Sequence, residues 1–214
     1  MTRDRKTHSR PRGVPPAAGA RETHPRSATH SGHHRVRIIG GRWRSLRIDF
    51  PDHAELRPSP DRVRETLFNW LQHSIMDARC LDLFAGSGVL GAEALSRGAA
   101  EVVFVERDAR TALGIEATLQ RLGAVGATVV QADALKYLDS PPPQPFDIVF
   151  LDPPYAAGLL PEVCGKLARH RWLAPQAQIY MESSANQPLP AFPAAWTLHR
   201  SRQAGQVGYH LLRV

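Results

Sequence analysis

Asp152-Pro153-Pro154-Tyr155 directly follows the apolar run Phe146 to Leu151, so a carboxylate and two prolines close what reads as a buried strand. That combination suits methylation of an exocyclic base amine. The nitrogen of such an amine is a poor nucleophile because its lone pair is delocalised into the ring. Two acceptors, the Asp152 carboxylate and a backbone carbonyl stiffened by proline, can take its two N–H bonds and aim the lone pair at a methyl donor. Tyr155 offers a face on which the base stacks. Taken alone, four residues can equally be a strand stop followed by an aspartate helix cap. The residues upstream decide between the two.

In Cys80-Leu-Asp-Leu-Phe-Ala-Gly-Ser-Gly-Val-Leu-Gly91 an apolar run leads into Gly86 and Gly88, and a helical pattern follows from Val89 to Arg97. Glycines at a strand-to-helix turn let a ligand approach the backbone N–H groups of the helix N-terminus. Gly86 to Gly91 also matches the dinucleotide pattern GxGxxG. The next apolar run, Val102 to Val105, ends in Glu106, twenty residues beyond Gly86. An acid there hydrogen-bonds a ribose diol in either kind of adenosine cofactor. Asp82 inside the first strand and Asp152 at the end of the fourth have no evident use in hydride transfer, which favours a methyl donor.

The elements that must position these groups alternate. Val36 to Ile39 and Trp43 to Ile48 read as a small basic hairpin turning at Gly40-Gly41. Ser59-Pro60 opens a helix with a capping hydroxyl, and Val63, Leu67, Trp70 and Leu71 mark its buried stripe. Strands are expected near Cys80 to Phe84, Val102 to Glu106, Thr128 to Gln131, Ile148 to Asp152 and Gln178 to Met181, with helices at about 89–97, 108–122 and 158–171. Such alternation gives a parallel, doubly wound α/β sheet with crossover helices. Trp196 to Arg202 and Val207 to Arg213 flank Gly205 with no helix between them, hence an antiparallel C-terminal hairpin.

The chain has 214 residues, 43% of them hydrophobic, enough for one full-sized core. Residues 1–37 hold nine Lys/Arg against two acids, so this segment carries the whole formal charge of +7. Residues 1–34 are rich in Arg, His, Ser and Pro without apolar periodicity and are expected to be a disordered tail. Residues 35–58 are then a hairpin extension and 59–214 a catalytic domain. No stretch reads as a signal or membrane span, which points to the cytoplasm. Cys80 and Cys164 lack metal spacing, five of the ten histidines fall in the tail, and no metal is assigned.

Arg37 to Arg44, Arg57 to Leu71, Leu81 to Gly88, Asp152 to Tyr155 and Ala204 to Tyr209 together resemble the RsmD family, bacterial methyltransferases named for the N2 amine of guanine 966 in 16S rRNA. The resemblance runs from about Val36 to the C-terminus. It implies a Rossmann-like class I methyltransferase fold using S-adenosylmethionine, and a monomer that acts on 16S rRNA in an assembled or partly assembled small ribosomal subunit. Gly86 and Gly88 would lie against the methionine end of the cofactor, with Asp82 receiving its ammonium group directly or through water. Glu106 would take the ribose diol and Asp133 the adenine amine, although an aspartate before Ala134 is also a good helix cap. Asp152, Pro153, Pro154 and Tyr155 would act on the target amine. Arg42, Arg44, Arg57, Arg62 and Arg64 would hold RNA phosphates, and Trp43 is either a stacking face or a packing residue. Two alternatives stay open: a DNA adenine-N6 or cytosine-N4 methyltransferase, because the same chemistry serves any exocyclic amine, and a non-catalytic RNA-binding assembly factor.

Overall fold

The alternation Arg35-Val36-Arg37 and Arg47-Ile48-Asp49 puts charge on one face of a two-stranded ribbon and apolar groups on the other. In the computed structural model, which describes residues 1–2, 33–51, 59–154 and 158–214, these become β1 (His33–Arg37) and β2 (Arg47–Pro51), paired antiparallel with Val36 opposite Ile48. Their connection is not the expected two-residue turn. Ile38 N donates to Leu46 O and Ser45 N to Ile38 O, enclosing a 3-10 turn at Gly41–Trp43. The second strand therefore starts at Arg47, not at Trp43. The reason is burial: Trp43 is 7% exposed and its N–H donates to Ser96 Oγ at 2.9 Å. Trp43 is a packing residue, and Arg42 lies over its ring at 4.2 Å.

The rest of Ser31–Val214, which forms one compact unit, follows the expected alternation. After α1 (Asp61–Trp70) come β3 (Arg79–Asp82), α2 (Val89–Ser96), β4 (Glu101–Glu106), α3 (Ala109–Arg121), β5 (Ala127–Gln131), α4 (Ala134–Tyr137), β6 (Phe146–Leu151) and α5 (Leu160–Arg169). The chain closes with β7 (Leu173–Ser184), β8 (Thr197–Ala204) and β9 (Val207–Arg213). The seven-stranded sheet has the order β5-β4-β3-β6-β7-β9-β8. Its first five strands are parallel, while β9 runs antiparallel to both β7 and β8. β7 is much longer than Gln178 to Met181, because its ends find partners at Phe146 on one side and Val207 on the other.

Successive residues of a strand point to opposite faces, and the sheet separates two cores accordingly. Cys80, Phe104, Ile148 and Phe150 pack with the hairpin, α1, α2 and α3. Leu81, Val103, Val149 and Leu151 pack with α4 and α5. Both cysteines are buried thiols, and burial pushes the Cys164 thiol up to about 12. Helix α2 sits close on β4 because Gly91 faces Phe104; a Cβ at Gly91 would stand 2.2 Å from the Phe104 ring. Gly91→Ala is therefore expected to destabilise the protein by about 1–3 kcal/mol, as overpacking does. Urea unfolding checks this, and a gain in stability from the better helix former would contradict it.

Candidate active site

Strand order reverses direction between β3 and β6, and in open parallel sheets the crevice beyond that point takes the ligand. Every acid singled out in the sequence lies at this edge: Asp82 ends β3, Glu106 ends β4, Asp133 follows β5 and Asp152 follows β6. Asp82 and Phe150 are register partners, so Asp82 and Asp152 belong to neighbouring strand ends.

The glycine loop is built by these acids. Gly86 and Gly88 have φ of 51° and 72°, the left-handed region that glycine enters without strain, and Gly88 caps α2 in that conformation. Glu106 accepts from Gly86 N and from Asp108 N, each at 2.9 Å. Asp82 accepts from Gly91 N at 3.0 Å and is only 2% exposed. Its carboxylate thus holds the first turn of α2 from behind the glycine loop. Burial pushes the Asp82 carboxyl up to about 7, against the pull of the Gly91 N–H and helped by the nearby Glu106 charge. Asp133 is the N-cap of α4, with Oδ1 accepting from Lys136 N at 3.1 Å.

Asp152 stands just past β6, with Pro153 buried and Pro154 exposed beyond it. Burial, and then the charge of Glu182, raise its carboxyl well above the ordinary range. Ser59 is the neighbour that sequence reading misplaced. Pro60, not Ser59, occupies the N-cap position of α1, and no side chain caps the helix. The Ser59 hydroxyl points instead toward Asp152 Oδ2 at 3.3 Å and Glu182 Oε1 at 2.5 Å. Glu182 was not singled out in the sequence, yet it carries the same signal as Asp152 and Glu106, an acid directly after an apolar strand run. Tyr155 and Arg57 lie outside the described residues.

The arginines divide. Arg42 and Arg44 are exposed at the hairpin tip, which rests on Ser96 at the far end of α2 from the glycine loop. Eight helical residues separate the two, about 12 Å. Arg62 is exposed on α1. Arg64 is fully buried: it pairs with Asp61 at 2.5 Å, its Nη1 lies 3.5 Å from Glu93, and its Nε donates to Ser59 O at 3.1 Å. A guanidinium sealed in the core cannot meet a phosphate, so the expectation for Arg64 fails. Arg35, Arg37 and Arg47, from the charged face of the hairpin, instead line a cavity of about 390 Å³ together with Ser59, Pro60 and Asp61. Ser59, one of its lining residues, also hydrogen-bonds Asp152.

A family model described as "Conserved hypothetical protein 95" matches residues 36–213. The chain is 50% identical over 182 residues to "Ribosomal RNA small subunit methyltransferase D" of Escherichia coli (strain K12), covering 85% of this chain and 91% of that protein. The chain belongs to the RsmD family. Among solved structures, "Putative methyltransferase yhhF from Escherichia coli" superposes on this RsmD-family chain with a TM-score of 0.79 at 47% identity, over 84% of this chain and 98% of that one. The Thermus thermophilus 16S rRNA N2 G1207 methyltransferase (RsmC), solved with AdoMet and guanosine, shares the fold with a TM-score of 0.59 at 20% identity, over 85% of this chain and 49% of that one. The class I methyltransferase fold is therefore the architecture of this chain, with its antiparallel C-terminal hairpin and an added N-terminal one.

The residues present fit a cationic adenosine cofactor. A carboxylate offers about four lone-pair positions, so Glu106 keeps acceptor capacity beyond its two backbone bonds, and Asp133 keeps its second oxygen. A cleft edged by carboxylates attracts a positively charged sulfonium compound.

Proposed function

We propose that this chain transfers a methyl group from S-adenosylmethionine to the exocyclic N2 amine of a guanine in 16S rRNA, the position numbered 966, in an assembled or partly assembled small ribosomal subunit in the cytoplasm. The observation that carries the reading is the placement of Asp152-Pro153-Pro154 one strand from the glycine loop, at the sheet's switch point. The names of its relatives, ribosomal RNA small subunit methyltransferases, support the substrate.

S-adenosylmethionine, when bound, supplies an electrophilic methyl group. The chain does the rest. Gly86 and Gly88 leave room for the methionine end, Glu106 accepts from the ribose hydroxyls, and the free oxygen of Asp133 accepts from the adenine amine. Asp152 and the adjoining proline-held carbonyl accept the two N–H bonds of the target amine, so its lone pair is no longer shared with the ring. Tyr155 supplies the stacking face. Phosphates flanking the guanine are held by Arg35, Arg37 and Arg47, which line the cavity beside Ser59, with Arg42, Arg44, Arg57 and Arg62 holding others.

The test is methyl transfer from labelled cofactor to small subunits lacking the modification, with duplex DNA in parallel. N2-methylguanine in 16S rRNA is expected. N6-methyladenine or N4-methylcytosine in the DNA would make this a DNA enzyme, and binding of subunits without transfer would make it an assembly factor. On the cofactor side, Glu106→Ala is expected to weaken S-adenosylmethionine binding by about 1.5–3 kcal/mol, the scale of a hydrogen bond to a charged group. Calorimetric titration with unchanged affinity, or with NAD binding more tightly, would remove Glu106 and the glycine loop from this role.

A further inference from the structure

Groups from two distant parts of the chain meet behind Asp152. Ser59, on the segment before α1, is 4% exposed, and its Oγ reaches Asp152 Oδ2 at 3.3 Å and Glu182 Oε1 at 2.5 Å. Glu182, on β7, is 1% exposed and also accepts from Tyr180 Oη at 2.7 Å. Ser59 is gripped from its other side, where Arg64 Nε donates to its backbone carbonyl at 3.1 Å. Helix capping does not account for the arrangement, since α1 begins without the Ser59 hydroxyl.

A serine hydroxyl has one hydrogen and two lone pairs. Placed between two carboxylates, its single hydrogen is shared between the Glu182 and Asp152 oxygens, which holds it to a narrow range of rotation and fixes the Asp152 oxygen it reaches. We propose that Ser59 and Glu182 are positioning residues for Asp152: the Ser59 hydroxyl, braced by Glu182, holds Oδ2 and leaves Oδ1 to face the substrate amine. This rests on the reading of Asp152 as the amine's acceptor. In the transfer, the nitrogen lone pair forms the new N–C bond and the sulfur keeps the electron pair of the broken S–C bond. One amine N–H bond then breaks, and its proton goes to Asp152 Oδ1.

Glu182 also governs how firmly Asp152 holds that proton. Among the described residues, the groups facing Asp152 are Ser59, Glu182 and Asp82, with Tyr180 behind Glu182. Burial raises the Asp152 carboxyl most, Glu182 next, the Ser59 bond draws it back down, and Asp82 raises it further. The two positioning residues therefore act on the ionisation of Asp152 in opposite directions. Removing the Ser59 hydroxyl takes away a bond to the charged form, so the acid limb of the rate profile moves to higher pH. Removing the Glu182 charge moves that limb to lower pH.

The experiment is single-turnover methylation of unmodified small subunits with labelled cofactor, followed across pH for the full-length chain. Ser59→Ala is expected to slow the step roughly tenfold, the scale of one lost hydrogen bond, with cofactor affinity unchanged, and Ser59→Thr to restore it. The acid limb should move up in Ser59→Ala and down in Glu182→Gln. Wild-type rates and profiles in both variants would overturn the proposal, as would slower rates with an unmoved limb, the mark of a merely structural role. Should Glu182→Gln fail to fold, the Ser59 pair still decides. Asp152→Ala, run alongside, separates the two levels. If it is as active as wild type, the reading of Asp152 itself fails. If it is inactive while Ser59→Ala and Glu182→Gln behave as wild type, only the positioning fails.

Discussion

Asp152→Ala is expected to lower single-turnover methylation by on the order of a hundredfold or more while leaving S-adenosylmethionine affinity nearly intact, as for loss of an acceptor that acts in the transition state. The physical basis is the amine itself. Without an acceptor at this strand end, the target nitrogen keeps its lone pair in the ring, and the remaining carbonyl constrains only one N–H. Asp152→Asn should retain more activity, because the side-chain oxygen still accepts a hydrogen bond of the same geometry. A milder loss in Asn than in Ala separates positioning from base catalysis. Rates equal to wild type in Asp152→Ala would remove the residue from the reaction.

The place of Asp152 is legible in the sequence because its signal is local: an apolar run with β-branched and aromatic residues, then an acid, then two residues that cannot continue a ladder. The same holds for the glycine loop and Glu106, whose spacing follows from the length of one helix and one strand. The neighbours of Asp152 are not legible in that way. Ser59 meets Asp152 and Glu182 across 93 and 123 residues of chain, and a serine before a proline and a helix has every local mark of a cap. Only the tertiary fold turns its hydroxyl elsewhere. The hairpin tip went astray for a related reason. Gly40-Gly41 has the composition of a tight turn, yet the burial of Trp43 against α2 outweighs the local preference and lengthens the connection. Arg64 reads as a surface cation in the sequence because charge alone says nothing of depth, and its acidic partner Glu93 sits in another helix. A glutamate inside the otherwise apolar run Val89 to Leu95 was the available sign that something buried needed it.

Glu93→Ala is expected to be among the most destabilising single changes in this protein, at about 3–5 kcal/mol, because it removes one of the two carboxylates that face a buried guanidinium and unpairs two backbone N–H groups at once. Glu93 is fully buried and serves four partners. It accepts from Ile39 N and Gly40 N at 2.8 Å each and from Arg97 Nε at 2.8 Å, and it lies 3.5 Å from Arg64 Nη1. Burial lowers the pKa of Arg64 and its acidic neighbours raise it again, but an arginine stays charged in any case. Losing Glu93 leaves that charge with Asp61 alone and leaves two backbone N–H groups of the hairpin unpaired. Arg64→Met should cost less, since a flexible apolar chain fills the space while Glu93 keeps its backbone and Arg97 bonds. The consequence reaches function through position. Glu93 ties the hairpin, with its exposed arginines, to the helix that starts at the glycine loop. Glu93→Ala should therefore weaken binding of small subunits more than binding of S-adenosylmethionine, measured below the temperature at which the variant unfolds. Urea unfolding showing a loss below about 1 kcal/mol, the level of an exposed pair, would mean that the buried network does not hold the hairpin in place.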